Sequence, residues 1–327
     1  MSLPGIEDPF GRKFSYLRLS VTDVCNFRCD YCLPNGYQGK PKQFLTVPEI
    51  RRLVTSFAEL GMQKIRLTGG EPTVRKDFLE IVTTVATTPG VKSVALTTNG
   101  YQLMDQVRAF YDSGISALNV SIDTLNPEKF QRITGHNRLP QILNGLKQAQ
   151  MLGFKQVKVN AVLLKDINDI ELPLFLNWIK HENLSLRFIE LMQTGTNQDY
   201  FKRHHLSADS IRQRLLEQGW IAQERAIDAG PAIELSHPDY VGRIGLIAPY
   251  SKDFCTSCNR LRVSATGNLH LCLFGELGYS LRSLLQSDEQ KETLKDKVIT
   301  CLQHKKISHF LHEGETGMNQ HFSTIGG

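Results

Sequence analysis

Three cysteines near the N-terminus stand at a spacing that suits an inorganic centre. Cys25, Cys29 and Cys32 form a C-x3-C-x2-C pattern, and a strand-like run over 16–22 leads into them. A [4Fe-4S] cluster usually takes four cysteines, so a cluster held by three leaves one iron open to a non-protein ligand. Two alternatives remain. The thiols could be unrelated, or they could bind zinc, although a closed zinc site needs a fourth protein ligand and none stands close by.

A second set of three cysteines lies in the C-terminal third of the chain. Cys255, Cys258 and Cys272 form a C-x2-C-x13-C pattern, which again lacks a fourth cysteine. Alternation along a strand places His270 on the same face as Cys272. A Cys3His zinc site therefore stays open beside an iron-sulfur cluster.

A glycine-rich turn, Gly69-Gly70-Glu71-Pro72, follows the predicted strand 64–68. Two glycines let the backbone approach a ligand closely, and Glu71 adds an acceptor. The turn is a weak signal alone. It becomes a strong one because it lies one strand after the first cysteine set.

Composition indicates a globular protein with a packed core. The chain has 327 residues, 41% apolar and 22% charged, with a net charge of +5. A chain of this length can form one large α/β domain, or one domain with an appendage. The sequence contains no basic run of the kind that marks nucleic-acid binding. It also contains no apolar run that would predict a signal peptide or a membrane span. The clustering of seven cysteines favours metal binding in a reducing cytoplasm over a disulfide framework.

Strand and helix patterns alternate through the first 195 residues. Six such units predict a parallel sheet, two short of a closed eight-stranded barrel. We therefore predict an α/β fold, an incomplete (βα)6 TIM-like barrel over 1–195, with an α+β extension over 196–327 that carries the second cysteine set. The predicted strands are 16–22, 64–68, 91–98, 115–123, 154–164 and 184–192, and the predicted helices are 46–60, 77–87, 104–113, 127–133, 140–152, 170–181, 207–218, 279–285 and 288–305.

One face of nearly every predicted strand is polar. A filled barrel core would be Val, Ile and Leu, so this interior is expected to be wet and to hold a polar ligand. On the sixth strand the same alternation assigns Glu190 and Met192 to the inner side.

Five cations are expected around this interior. Arg18, Arg66 and Lys158 face inward by alternation, while Arg260 and Arg262 follow the second cysteine set. Arginine pairs phosphate oxygens bidentately. Each cation taken singly could equally belong to a solvated or structural ion pair, but together they favour an anionic substrate.

The motifs resemble those of the radical S-adenosylmethionine (SAM) superfamily, and within it the GTP 3',8-cyclases. The resemblance covers the whole chain and includes both cysteine patterns, the GGEP turn, the R-x-R pair at 260–262 and the terminal Gly326-Gly327. It implies that the methionine end of SAM binds the open iron of the first cluster. The family's SAM contacts fall on Tyr31, Gly70, Glu71, Ser121, Asp123 and Met192.

The same resemblance implies a second [4Fe-4S] cluster at Cys255, Cys258 and Cys272, whose open iron meets the guanine of GTP. The family's GTP contacts fall on Arg18, Arg66, Thr97, Lys158, Arg260, Leu261 and Arg262. Catalytic roles fall on Cys25, Cys29, Cys32, Arg260 and Arg262. The glycine tail is expected to reach toward the active site.

The implied activity is that of a lyase acting early in molybdenum cofactor (molybdopterin) biosynthesis. A 5'-deoxyadenosyl radical takes hydrogen from C3' of GTP, and C3' then bonds to C8 of the base. Implied partners are a one-electron donor and the downstream cyclic pyranopterin monophosphate synthase, with the chain acting as a monomer or homodimer. Two other classes stay open: a peptide-modifying radical SAM enzyme, and a non-catalytic zinc-bearing nucleotide-binding module.

Overall fold

The computed structural model describes residues 5–39, 43–224, 229–275, 278–317 and 325. The terminal Gly326-Gly327 lies outside the described residues. The strands are β1 (Ile6–Glu7), β2 (Lys13–Phe14), β3 (Tyr16–Thr22), β4 (Lys64–Gly69), β5 (Ser93–Thr98), β6 (Ile115–Ser121), β7 (Gln156–Leu163), β8 (Ser185–Glu190), β9 (Ile221–Ala222), β10 (Ile233–Ser236), β11 (Arg243–Ile247), β12 (Arg260–Val263), β13 (Asn268–His270) and β14 (Tyr279–Ser280). The helices are α1 (Val47–Glu59), α2 (Phe78–Ala86), α3 (Leu103–Asp112), α4 (Pro127–Thr134), α5 (Leu139–Leu152), α6 (Leu172–His181), α7 (Gln198–His204), α8 (Ala208–Glu217) and α9 (Lys291–Leu302).

Hydrogen bonds join twelve of the described strands into one sheet, in the order β14-β13-β12-β3-β4-β5-β6-β7-β8-β11-β10-β9. The eight central strands, from β12 to β11 in this order, are parallel to one another. Strands β3 to β8 follow one another with helices between them, which confirms the predicted incomplete barrel.

The outer face of the sheet and the helices share one hydrophobic core. Helix α1 shows why the local sequence folds as it does: the Thr46 side chain accepts from the Glu49 N–H, and the Glu49 carboxylate accepts from the Thr46 N–H. This capping box begins the helix. The apolar face of α1, with Ile50, Leu53 and Phe57 fully buried, then packs in the same cluster as β3 and β4.

The C-terminal part of the chain completes the sheet on both sides. Strand β11 pairs with β8 at one edge, and β12 pairs with β3 at the other. Register places Arg262 opposite Arg18, and Arg18 opposite Arg66. The boundary that we predict near residue 195 therefore lies within one continuous sheet.

Two predicted C-terminal helices need correction. The region 279–285 forms β14 and a short 3-10 turn, Arg282–Leu284, because its backbone pairs with β13. The last helix is shorter than predicted, since Asp288–Gln290 forms a separate 3-10 turn before α9. No helix among the described residues is both long and apolar enough to cross a membrane.

Candidate active site

The first cysteine set lies in the loop that follows β3. Cys25, Cys29 and Cys32 are all partly buried. The loop is shaped by its own backbone, because the Cys32 N–H donates to the Cys29 carbonyl at 2.9 Å. The Phe27 N–H points at Cys25 Sγ, 3.4 Å away. Phe27 is buried and stacks on the His136 ring at 5.0 Å, so one side of the loop is closed to water.

The GGEP turn packs directly on this cysteine loop. The Gly70 N–H donates to the Thr22 carbonyl at 3.0 Å, and the Glu71 N–H donates to the Val24 carbonyl at 2.8 Å. A Cβ on Gly70 would stand 2.4 Å from the Val24 carbonyl oxygen, which explains why this position is glycine. The two loops therefore hold each other at the carboxyl ends of β3 and β4.

Glu71 is a fully buried carboxylate that joins the turn after β4 to the loop after β5. It accepts hydrogen bonds from the N–H and hydroxyl of Thr73, the hydroxyl of Thr98 and the Asn99 N–H. Burial raises the pKa of Glu71, although the hydrogen bonds from these donors act to lower it. Asn99 in turn donates to Asn26 Oδ1 at 2.8 Å, beside Cys25. The Glu71 side chain thus has its oxygens engaged within the protein.

Asp123 and Tyr31 connect the cysteine loop to the ends of β6 and β7. The Tyr31 hydroxyl donates to Asp123 Oδ2 at 2.8 Å, and the Val162 N–H donates to Asp123 Oδ1 at 2.8 Å. Burial raises the pKa of Asp123 to about 6 in spite of these two bonds. Ser121, the last residue of β6, is partly exposed on the same edge of the sheet.

The second cysteine set lies beside β12 and β13. Cys255, Cys258 and Cys272 are free, and all three line one cavity on the inner face of the sheet. Burial raises the pKa of Cys258, but the positive charges of Lys305, Arg260 and Arg262 outweigh it and lower the value to about 7. A thiolate is therefore favoured at this position.

Seven cations line the same cavity, and none of its described lining residues is Asp or Glu. They come from β3, β4, β7, β8 and β12, and they are Arg18, Lys64, Arg66, Lys158, Arg187, Arg260 and Arg262. Burial and the neighbouring charges of Arg187, Lys64 and Arg66 together lower the pKa of Lys158 to about 7, against an opposing effect of Glu234. Such a concentration of positive charge favours a polyanionic ligand.

Tyr16 is the acidic group that accompanies these cations. Its hydroxyl accepts a hydrogen bond from Arg66 Nε, and Arg66 Nη1 also donates to Thr97 Oγ1 at 3.1 Å. Burial raises the pKa of Tyr16, but Arg66, Arg18 and Lys64 outweigh it and bring it to about 7. Arg66 is therefore held at two nitrogens of its guanidinium, Nε on Tyr16 and Nη1 on Thr97.

The structure separates the predicted site residues into two groups. Arg18, Arg66, Thr97, Lys158, Met192, Arg260 and Arg262 line the cavity. Tyr31, Gly70, Glu71, Ser121 and Asp123 surround the first cysteine loop outside it. Leu261 is fully buried between two cavity-facing arginines, so its side chain enters the hydrophobic core and only its backbone is available to a ligand.

The prediction that Glu190 lies on the inner face of the sixth strand is wrong. Arg187 and Ile189 line the cavity, whereas Glu190 is buried on the other side, where His205 Nε2 lies 2.8 Å from its Oε1. Met192 reaches the cavity because it lies beyond the end of β8, where strand alternation no longer applies. Arg187 was missed for this reason, although the run 185–189 carries the signal.

His309 also lines the cavity, and no sequence signal pointed to it. Its side chain is 7% exposed, its Nδ1 accepts from the Leu311 N–H, and its Nε2 has no hydrogen-bond partner in the described part of the chain. The ring lies 5.0 Å from that of Phe274. A neutral imidazole in this arrangement can offer a donor to a bound ligand.

Both cysteine sets offer thiolates, which are ligands of iron-sulfur clusters and also of zinc. The thiols of each set raise one another's pKa, as at Cys29 and Cys255, after the larger effect of burial. His270, the fourth ligand of the zinc alternative, is not among the residues that line the cavity.

Comparison with known proteins agrees with this geometry. The model of the radical SAM superfamily matches residues 19–179, and that of the Molybdenum Cofactor Synthesis C family matches residues 184–311. Streptococcus suis SuiB, solved bound to S-adenosylmethionine, superposes with a TM-score of 0.63 at 13% identity over 89% of this chain and 68% of its own, which supports the fold.

The fold and the cysteine loop define a radical SAM enzyme, a class that uses SAM and a [4Fe-4S] cluster. Two curated relatives place the chain more closely. It is 57% identical to the GTP 3',8-cyclase of Tolumonas auensis, over 98% of this chain and 96% of that protein. It is 56% identical to the GTP 3',8-cyclase of Vibrio parahaemolyticus, over 98% and 97%. The chain belongs to the GTP 3',8-cyclase family.

Proposed function

We propose that this protein converts GTP to (8S)-3',8-cyclo-7,8-dihydroguanosine 5'-triphosphate, the first step of molybdenum cofactor biosynthesis. Family membership supports the reaction. The observation that carries it for this chain is the single cavity that combines seven cations, the second cysteine set and no described carboxylate.

The cations would bind the triphosphate. A nucleoside triphosphate carries about three to four negative charges, and guanidinium groups pair phosphate oxygens in a fixed two-bond geometry. Arg18, Arg260 and Arg262 lie on the paired strands β3 and β12. Their mutual repulsion, together with burial, lowers the pKa of Arg18 to about 9. A bound polyanion would relieve this repulsion.

The second cysteine set would hold a [4Fe-4S] cluster with one iron left for the guanine base. Three cavity-facing thiols support this assignment, as does the low pKa of Cys258. Arg260 and Arg262 lie between this set and the barrel, so they are suited to hold the nucleotide at a fixed distance from the cluster.

The first cysteine set would hold the cluster that binds SAM. When bound, this pair supplies the 5'-deoxyadenosyl radical that abstracts hydrogen from C3'. Because the Glu71 oxygens are engaged within the protein, the contact of the GGEP turn with SAM would come from the backbone at Gly70. Ser121, Asp123 and the Tyr31 backbone would surround the nucleoside, and Met192, which lines the cavity, would pack on the adenine.

Four further proposals follow from the family resemblance. A one-electron donor reduces the first cluster, and the product passes to the cyclic pyranopterin monophosphate synthase. The chain acts as a monomer or homodimer, with a division near residue 195 between barrel and extension. The clustering of the cysteines in two sets of three favours metal binding in a reducing cytoplasm over a disulfide framework.

The test is anaerobic incubation of the reconstituted protein with GTP, SAM and dithionite. We expect 5'-deoxyadenosine to form in step with the loss of GTP, and much less when ATP replaces GTP. The hydrogen taken from C3' leaves in 5'-deoxyadenosine, and an electron from dithionite with a proton from water replaces it on the cyclised base, so the product is an isomer of GTP. A compound that separates from GTP on chromatography but has the same mass is therefore the expected product. Formation of 5'-deoxyadenosine at the same rate with and without GTP would refute the proposal.

A further inference from the structure

Arg12, which precedes β2, makes contacts that no site motif explains. Its side chain is buried, with 8% of the residue exposed. Nη1 donates to the carbonyl oxygens of Cys255 at 3.1 Å and Ile307 at 2.8 Å, and Nη2 donates to the carbonyl of Lys306 at 2.7 Å. One guanidinium thus joins two segments that are far apart in the sequence.

Asp8 fixes the guanidinium from the other side. Arg12 Nε donates to Asp8 Oδ2 at 2.6 Å, and the backbone N–H groups of Phe10 and Arg12 donate to Asp8 Oδ1 at 3.0 Å. The Asp8 side chain is fully buried. Since both charged groups have hydrogen-bond partners, this pair can hold a defined geometry without leaving a bare buried charge.

The segment that Arg12 holds continues directly into donors for a cysteine sulfur. Burial raises the pKa of the Cys255 thiol, and the donors beside it, the Ser308 side chain and the His309 backbone, oppose that rise. His309 then turns its ring into the cavity. Hydrogen bonds to cluster sulfurs influence both the stability and the potential of an iron-sulfur centre.

We propose that Arg12, locked by Asp8, is the positioning residue of the second cysteine set. By binding the carbonyls of Cys255, Lys306 and Ile307 together, it places Cys255 and the donors at 308–309 in one arrangement that accepts the second cluster. This inference rests on the proposed second cluster. It adds that the N-terminal segment 8–12 is required to build that cluster.

The experiment uses the full chain reconstituted anaerobically as wild type, Arg12→Gln and Arg12→Lys. Cys255→Ala serves as the reference with one site damaged, and Arg108→Gln serves as the control, because Arg108 belongs to an exposed ion pair with Asp112 far from any cysteine. Wild type should hold about eight iron and eight sulfide per chain, and Arg12→Gln about four of each. GTP-independent SAM cleavage by Arg12→Gln should stay within about twofold of wild type, because the first cluster is untouched.

The electron paramagnetic resonance (EPR) spectrum of the reduced protein separates positioning from general loss of structure. Arg12→Gln should reproduce the spectrum of Cys255→Ala and lose its response to GTP. Arg12→Lys, which keeps the charge and some of the donors, should keep the second cluster but release its iron to a chelator several-fold faster than wild type and Arg108→Gln.

Three results would overturn the proposal or its basis, and they are distinguishable. Full iron content with a wild-type spectrum in Arg12→Gln would show that Arg12 does not position the site. If Arg12→Gln fails to fold, chelation decides: equal release rates in Arg12→Lys and wild type would also refute the proposal. If wild type holds only about four iron per chain, the protein has no second cluster, and the proposed function's second site is refuted instead.

Discussion

Replacing Arg260 by alanine should separate substrate binding from SAM cleavage. Arg260 is 9% exposed on β12, lines the cavity, and has no hydrogen-bond partner for its Nε among the described residues. The side chain therefore does little to hold the fold, and its removal acts mainly on an anionic ligand.

The magnitude follows from one lost charge-assisted hydrogen bond. Such a bond contributes about 1.5–3 kcal/mol, and each 1.4 kcal/mol corresponds to a factor of about ten. We expect kcat/KM for GTP to fall by roughly 10- to 150-fold. SAM cleavage in the absence of GTP should change by less than about twofold, because Arg260 lines the cavity that contains the second cysteine set.

Both rates are measured as 5'-deoxyadenosine, with and without GTP, in the same reconstituted preparation. Arg108→Ala is the matched control, since it removes an equal charge from an exposed position. Equal loss of the two rates in Arg260→Ala would place Arg260 outside the substrate site and would refute the reasoning.

Three further predictions concern buried ionisable groups. Glu71→Gln should lower the free energy of unfolding of the cluster-free protein by about 1–3 kcal/mol, because the glutamine keeps one acceptor oxygen and its NH2 group leaves the buried donors of the other oxygen, at Thr73 or at Asn99, without an acceptor; urea titration checks this, and a change below about 0.5 kcal/mol would contradict it. Asp123, with its pKa raised to about 6, holds its proton in the folded state while the unfolded chain has already released it. Stability should therefore fall by about 3 kcal/mol as pH rises from about 4 to about 6. Asp123→Asn should flatten this slope in urea titrations over that range, and an unchanged slope would be evidence against it. Lys158, with its pKa near 7, loses charge as pH rises through 7, so GTP binding measured calorimetrically should weaken between pH 6 and 8. Lys158→Met should show a smaller pH dependence, and an equal one would exclude this lysine as the source.

Local sequence patterns were enough to predict those features of the protein that depend only on nearby residues. The spacing of Cys25, Cys29 and Cys32 is enough to bring three thiols into one loop, because the loop bonds to itself. Strand alternation placed Arg18, Arg66 and Lys158 on the inner face, since a period of two is a property of any strand. The start of α1 likewise depends on nearby residues, because Thr46 and Glu49 form a capping box at the beginning of the predicted helix 46–60.

The tertiary structure alone decided which distant segments meet. Strands β11 and β12 extend opposite edges of the sheet, and only this pairing brings Arg260 and Arg262 beside Arg18. Glu71 reads in sequence as a ligand acceptor, yet folding surrounds it with donors from the loop after β5. Arg12 contacts Cys255 across 243 positions of sequence. Such contacts depend on sheet order and loop packing, which no local period or spacing encodes.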